Sequence, residues 1–105
     1  MTEVKKLNEL VQYQDHSIVS QAIIDKQAGT ITVFAFAADE SLSEHTTPFD
    51  ALVQVLDGEA EIRISGTPYH LRPGEIIIMP AGKAHAVKAV TAFKMLLTMI
   101  REKKK

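Results

Sequence analysis

Between Ala60 and Ile64 the chain alternates strictly: Ala60, Ile62 and Ile64 are apolar, and Glu59, Glu61 and Arg63 between them are polar. A period of two places one set of side chains on a core and the other in water, which predicts a half-buried strand. Residues 51–56, "ALVQVL", are apolar on nearly both faces, so that strand is expected in the interior or under a second subunit. Further strands are predicted at 69–71, 76–79, 84–89 and 93–100, with two more upstream in "HSIVSQAIID" and "TITVFAFAA", which are rich in β-branched and aromatic residues. Gly58, Gly66, Gly74 and Gly82 recur every eight residues beside turn signals. Asp57-Gly58 reads as a tight two-residue hairpin turn, because both residues tolerate positive φ. Only Val4, Leu7 and Val11 carry helical spacing, which allows one short helix over residues 4–11. Eight or nine short strands at this spacing predict an all-β sandwich or barrel.

The 105 residues suffice for one domain around one core. A formal net charge of −1 supplies no field to recruit nucleic acid, and the run Arg101–Lys105 reads as a solvated tail. Without cysteine there is no disulfide framework, thiol nucleophile or thiolate metal site. No stretch approaches the ~20 apolar residues of a membrane span, and the first ten residues lack a signal-peptide core. The expectation is a soluble, cytoplasmic protein that contacts neither membrane nor nucleic acid.

The stretch "GEIIIMPAGKAHAVKA" has glycine, five residues, proline, one residue, glycine, two residues and histidine in register, at Gly74, Pro80, Gly82 and His85. It resembles the second motif of the cupins, with Ala89 where that motif has asparagine. The first cupin motif is recognisable in "DESLSEHTTPFDALVQVLDG". There His45 and Gly58 are kept, Asp39 stands for the first glycine, Thr47 for the second histidine and Ala51 for the glutamate. The chain thus resembles a small single-domain cupin of the conserved-barrel (cupin 2) type. The resemblance implies a jelly-roll β-barrel (double-stranded β-helix) with its core over residues 30–100, preceded by an N-terminal arm over 1–15, and often dimeric.

In metal-bearing cupins three histidines and a glutamate converge, a donor set that suits zinc, iron, manganese, nickel or copper. The resemblance delivers only His45 and His85, so a tight site needs a third donor. Asp50 is the nearest candidate, one residue before the family's carboxylate position. A single step turns a strand side chain to the opposite face, so Asp50, with Gln54 sharing its parity, reaches the site only if the strand bulges after Pro48. Its other reading is a turn residue bonded to its own backbone. His85 and His45 are otherwise buried histidines satisfied locally, while His70 and His16 read as surface residues. Phe93, Met95, Leu97 and Met99 alternate along one strand face, either as plain core or as an adaptable apolar pocket wall, to which Phe34 and Phe36 could add aromatic rings.

Two functions are compatible with this sequence. In the first, His45, Thr47, His85 and Met95 hold a small molecule in the barrel lumen, with a divalent metal weak or absent. In the second, His45, His85 and Asp50 hold a metal for an oxygenase or isomerase acting on a small carbonyl or sugar-like substrate. The surplus of two-faced apolar strands predicts a homodimer.

Overall fold

The structure is a computed structural model and describes residues 2–101, so the expected basic tail beyond Arg101 lies outside the described residues. Among these residues the chain forms β1 (Ile18–Lys26), β2 (Gly29–Phe36), β3 (Ser41–His45), β4 (Phe49–Asp57), β5 (Ala60–Ile64), β6 (Thr67–Leu71), β7 (Ile76–Met79), β8 (His85–Ala89) and β9 (Phe93–Arg101). They make two antiparallel sheets, one in the order β1-β2-β9-β4-β7 and the other β3-β8-β5-β6. The two inner faces enclose the core, which gathers Phe36, Val53, Val55, Ile62, Leu71, Val87, Phe93 and Met95. This is the expected all-β jelly roll, built from the alternation that the sequence carries.

Three expectations about local structure change. β3 is a strand that the hydrophobic pattern does not predict; its sequence, "SLSEH", buries no residue fully and is held by pairing with β8 rather than by propensity. Asp57-Gly58 is not a hairpin turn: β4 pairs with β7 and β9, β5 with β6 and β8, and the chain changes sheets between them. Gly58 has φ +72°, and a Cβ there would collide with the Ala92 carbonyl oxygen, so glycine is required by conformation and by close approach alike. The tight hairpin turn falls instead at Ser65-Gly66, φ 49° and 85°, where β5 turns into β6.

The helix allowed over residues 4–11 shrinks to a 3-10 turn at Leu7–Glu9. Lys6 gives no side-chain cap, and so short a helix has no stability of its own. Leu7, Leu10 and Val11 instead lie on the outer face of the five-stranded sheet, where they cover Val33, Ala35, Val19, Leu56 and Leu96. Lys94, also on that face, is buried beneath the arm; its ammonium donates to the Asn8 carbonyl at 2.6 Å and sits 5.0 Å from the Tyr13 ring centre. No helix among the described residues is long and apolar enough to cross a membrane.

Candidate functional site

A cavity of about 220 Å³ opens at one end of the space between the sheets. Leu42, Ala51, Met79, Val87, Met95, Leu97 and Met99 form its apolar wall, and His45, Thr47 and His85 its polar end. The alternation of β9 therefore does line the lumen. Phe34 and Phe36 do not reach it; Phe36 stacks on Phe93 deeper in the core, with ring centres 4.6 Å apart.

His45 reaches the cavity through a register shift. Leu42 pairs with Val87 and His45 with His85, so β3 carries one residue more than β8 between these pairs. In a regular strand Leu42 and His45 would point to opposite faces; the bulge turns both inward. The His45 Nδ1–H donates to the Ser43 carbonyl inside that bulge at 2.7 Å, which leaves Nε2 bare and aimed at the cavity. Its partner is His85 Nε2, 3.1 Å away, so His85 carries its proton there and donates it to His45. The rings meet edge to face at 71°.

His85 is buried, and its Nδ1 has no hydrogen-bond partner. Burial, and next the adjacent His45, push its pKa below the ordinary histidine value, with the Lys83 backbone opposing in part. His85 is therefore neutral at pH 7. Thr47 Oγ1 accepts from the Phe49 N–H at 3.2 Å, so its own hydroxyl proton is free to donate into the cavity.

Asp50 is not in the site. β4 pairs with β9 without a break from Phe49 to Val55, and its register shift comes only between Val55 and Asp57. With no bulge after Pro48, Asp50 keeps the outward parity, and Gln54 with it. Asp50 Oδ1 accepts the Ala81 N–H at 2.9 Å, and the Gly82 N–H donates to the Thr47 carbonyl at 2.9 Å. These two bonds tie the loop before β8 to the loop before β4, so Asp50 positions the segments that carry His85 and Thr47. His70 and His16 are exposed as expected; His70 pairs with Glu59 at 2.5 Å.

Ala51 lines the cavity where a carboxylate would enter, as do Leu42, Met79 and Val87, which sequence reasoning passed over. Ala51 was visible only as the residue in the motif's glutamate position, Met79 lies in a wholly apolar run without alternation, and Leu42 depended on the unforeseen strand. The nitrogen and oxygen donors around the cavity are thus two imidazoles and one hydroxyl, with the Ala51 methyl where a carboxylate would stand. Nitrogen atoms 3.1 Å apart suit neighbouring ligands of one transition metal, for which about 2.9–3.4 Å is expected from bond lengths near 2.05 Å. Among the described residues, however, no group of three histidine, aspartate or glutamate side chains is placed to hold a metal ion. These residues do not fit a tightly held resident metal, which needs at least three protein donors.

A two-sheet jelly roll with paired histidines at its open end defines a class, and the comparisons identify it. The Cupin domain family matches residues 32–101, and the chain belongs to that family. A conserved protein of unknown function from Streptococcus pyogenes is 35% identical, over 99% of this chain and 91% of that one, with a TM-score of 0.93. A cupin superfamily protein from Desulfitobacterium hafniense is 29% identical, over 97% and 94%, with a TM-score of 0.91. A cupin 2 conserved barrel domain protein from Leptotrichia buccalis is 40% identical over 90% of this chain and 46% of that one, with a TM-score of 0.87. No curated protein matches the chain.

Proposed function

We propose that this cupin binds a small, mainly apolar molecule in its cavity and holds the molecule's single polar group against His85 and Thr47, without depending on a resident metal. What carries the reading is the contrast within one cavity. Its wall is made of aliphatic and thioether side chains, and its polar end offers two hydrogen donors, His85 Nε2–H and the Thr47 hydroxyl. Methionines adapt their shape at little cost, which suits a ligand of varied outline. A carbonyl or carboxyl oxygen takes both donors when it enters, and replaces His45 as the acceptor of the His85 proton. No charged side chain lines the cavity, so recognition rests on shape and these two bonds.

A divalent ion held by His45 and His85 alone binds weakly, and the ligand would have to complete its coordination. The alternative, a metal-dependent oxygenase or isomerase, rests on the 3.1 Å spacing of the two Nε2 atoms. Metal analysis of protein purified without chelator separates the readings: a substoichiometric content is expected, and one tightly held ion per chain overturns the proposal. Titration with short aliphatic ketones and carboxylic acids, followed by NMR shifts of the methionine methyl groups, tests the ligand class. Shifts at Met95 and Met99 that vanish in His85→Ala are expected; an unresponsive cavity overturns the reading.

A further inference from the structure

A second cavity, of about 270 Å³, lies on the outside of the four-stranded sheet. Ser41 and Ser43 of β3, Ala86 and Lys88 of β8, and Glu61 and Arg63 of β5 surround it. The register explains why these residues meet. Ser41 lies opposite Lys88 and Lys88 opposite Glu61, which makes one row across the three strands. In the next row Arg63 lies opposite Ala86, and on β3 the register shift after Leu42 breaks the regular pairing. Ala86 is the shortest side chain among longer ones, so the face is hollow there.

We propose that this hollow binds a small organic carboxylate, whose two oxygens take the Arg63 guanidinium and the Lys88 ammonium. The charges are arranged for an anion: Arg63 and Lys88 share the hollow with one carboxylate, Glu61, which leaves a surplus of one positive charge. Glu61 is committed to Arg63, since its Oε1 accepts the guanidinium Nε–H at 2.9 Å. That bond occupies one of the guanidinium donors and fixes the fork, leaving the two terminal amino groups, the pair that meets a carboxylate side by side. Those amino groups and the Ser41 and Ser43 hydroxyls make no hydrogen bond among the described residues. Lys88, although opposite Glu61, forms no ion pair among the described residues. Glu59, two residues before Glu61, is engaged by His70 and does not line the hollow. A surplus of one charge balances a monoanion and not a phosphate dianion, and the Ala86 methyl offers the ligand's carbon chain an apolar contact.

This site is separate from the inner cavity, which no charged side chain lines. The two stand back to back on the β3–β8 pair, and Leu42 and Val87 border both. Ser43, beside the hollow, is also the residue whose carbonyl accepts the His45 Nδ1–H. An occupant of the hollow therefore rests against the bulge that turns His45 inward.

The test is an NMR titration of isotope-labelled protein in which sodium butyrate replaces sodium chloride at constant ionic strength. The Arg63 Nε–H and the Ala86 and Lys88 amides report the hollow, and the Met95 and Met99 methyl groups report the inner cavity. Saturable shifts at the hollow are expected at roughly millimolar butyrate, and inorganic phosphate should saturate it only at higher concentration. Arg63→Gln and, separately, Lys88→Gln should each weaken the butyrate response of the Ala86 amide by at least about 10-fold, while Met95 and Met99 behave as in the parent. Both residues are exposed, so neither substitution threatens folding. Absence of saturable shifts at the hollow, a response that survives both substitutions, or tighter saturation by phosphate overturns the proposal.

Discussion

The space between the two sheets is finished differently at its two ends. At the closed end Phe36 stacks on Phe93, Ala60 and Ala89 admit the rings, and each of these residues is wholly buried. At the open end β8 and β9, joined there by β3, β4 and β7, bring Ala51, Met79, Leu97 and Met99 opposite His45 and His85, and a cavity remains. The alternation of β8 and of β9 runs from one end to the other. Rigid rings filling the available volume make a core; flexible thioethers and a methyl in place of a longer side chain leave room. Stability is concentrated at the closed end, and the proposed binding falls at the open one.

The largest expected effect breaks the closed end. Phe93→Ala removes a fully buried ring and its stacking partner's contact, and should cost about 3–5 kcal/mol in urea denaturation. Met99→Ala, at the half-buried open end, should cost about 1 kcal/mol, because the cavity it enlarges is already open to water. Similar losses at the two positions would refute the contrast.

The contrast between the ends is partly legible in the sequence. Strand alternation marks the inner face of β9, and the spacing of Gly74, Pro80, Gly82 and His85 marks the loop that presents His85. Gly58 is visible as a turn residue, but its close approach to Ala92 depends on a change of sheets that no local pattern records. Asp39, where the resembling motif has glycine, adopts φ 70°, so the backbone requirement persists although the residue differs. What stays hidden is register. The bulge that turns His45 inward lies in β3, a strand with no buried residue to announce it, and not after Pro48, where a bulge would have brought in Asp50. A one-residue shift changes the face of a side chain without changing composition.

Asp50 provides the next test, since its place at the open end is now structural. Asp50→Ala deletes the bond from the Ala81 N–H and should destabilise by about 1 kcal/mol. It should also weaken ligand binding by loosening the loops that carry Thr47 and His85. Asp50→Asn keeps an accepting Oδ1 and should restore both, whereas a metal ligand would not be so replaced. Failure of asparagine to rescue would return Asp50 to the candidate metal donors.

A smaller effect comes from His85. Its depressed pKa means that, just below the ordinary value of 6.5, the unfolded chain binds a proton that the folded protein refuses. Stability should therefore fall as pH drops below about 6.5, and level off once the folded protein is protonated as well. In His85→Gln the slope contributed by this residue should disappear from urea midpoints measured between about pH 7 and 5. An unchanged slope would mean that His85 is not held neutral.

The smallest effect concerns the outside of the closed end, where the arm is latched. Tyr13 donates its hydroxyl to Asp57 and lies over the Lys94 ammonium, which itself reaches Asn8. Partial burial first, and then the Asp57 carboxylate, raise the Tyr13 pKa well above its ordinary value of 10. The folded protein thus keeps a phenol proton that the unfolded chain gives up, so the latch contributes below about pH 10 and its contribution is lost as pH rises above that. Tyr13→Phe keeps the ring over Lys94 and deletes only the hydroxyl, and the partly exposed bond limits its cost to about 0.5–1 kcal/mol at pH 7. Above pH 10 the variant and the parent should converge, because the parent's unfolded state then gains the ionised phenolate. Hydrogen exchange of the Leu10 and Val11 amides should quicken in the variant, while amides of β8, beside the cavity, keep their rates. Equal acceleration at both places would mean that the arm and the open end are one cooperative unit, and that the division between a stabilising end and a binding end does not extend to the outer face.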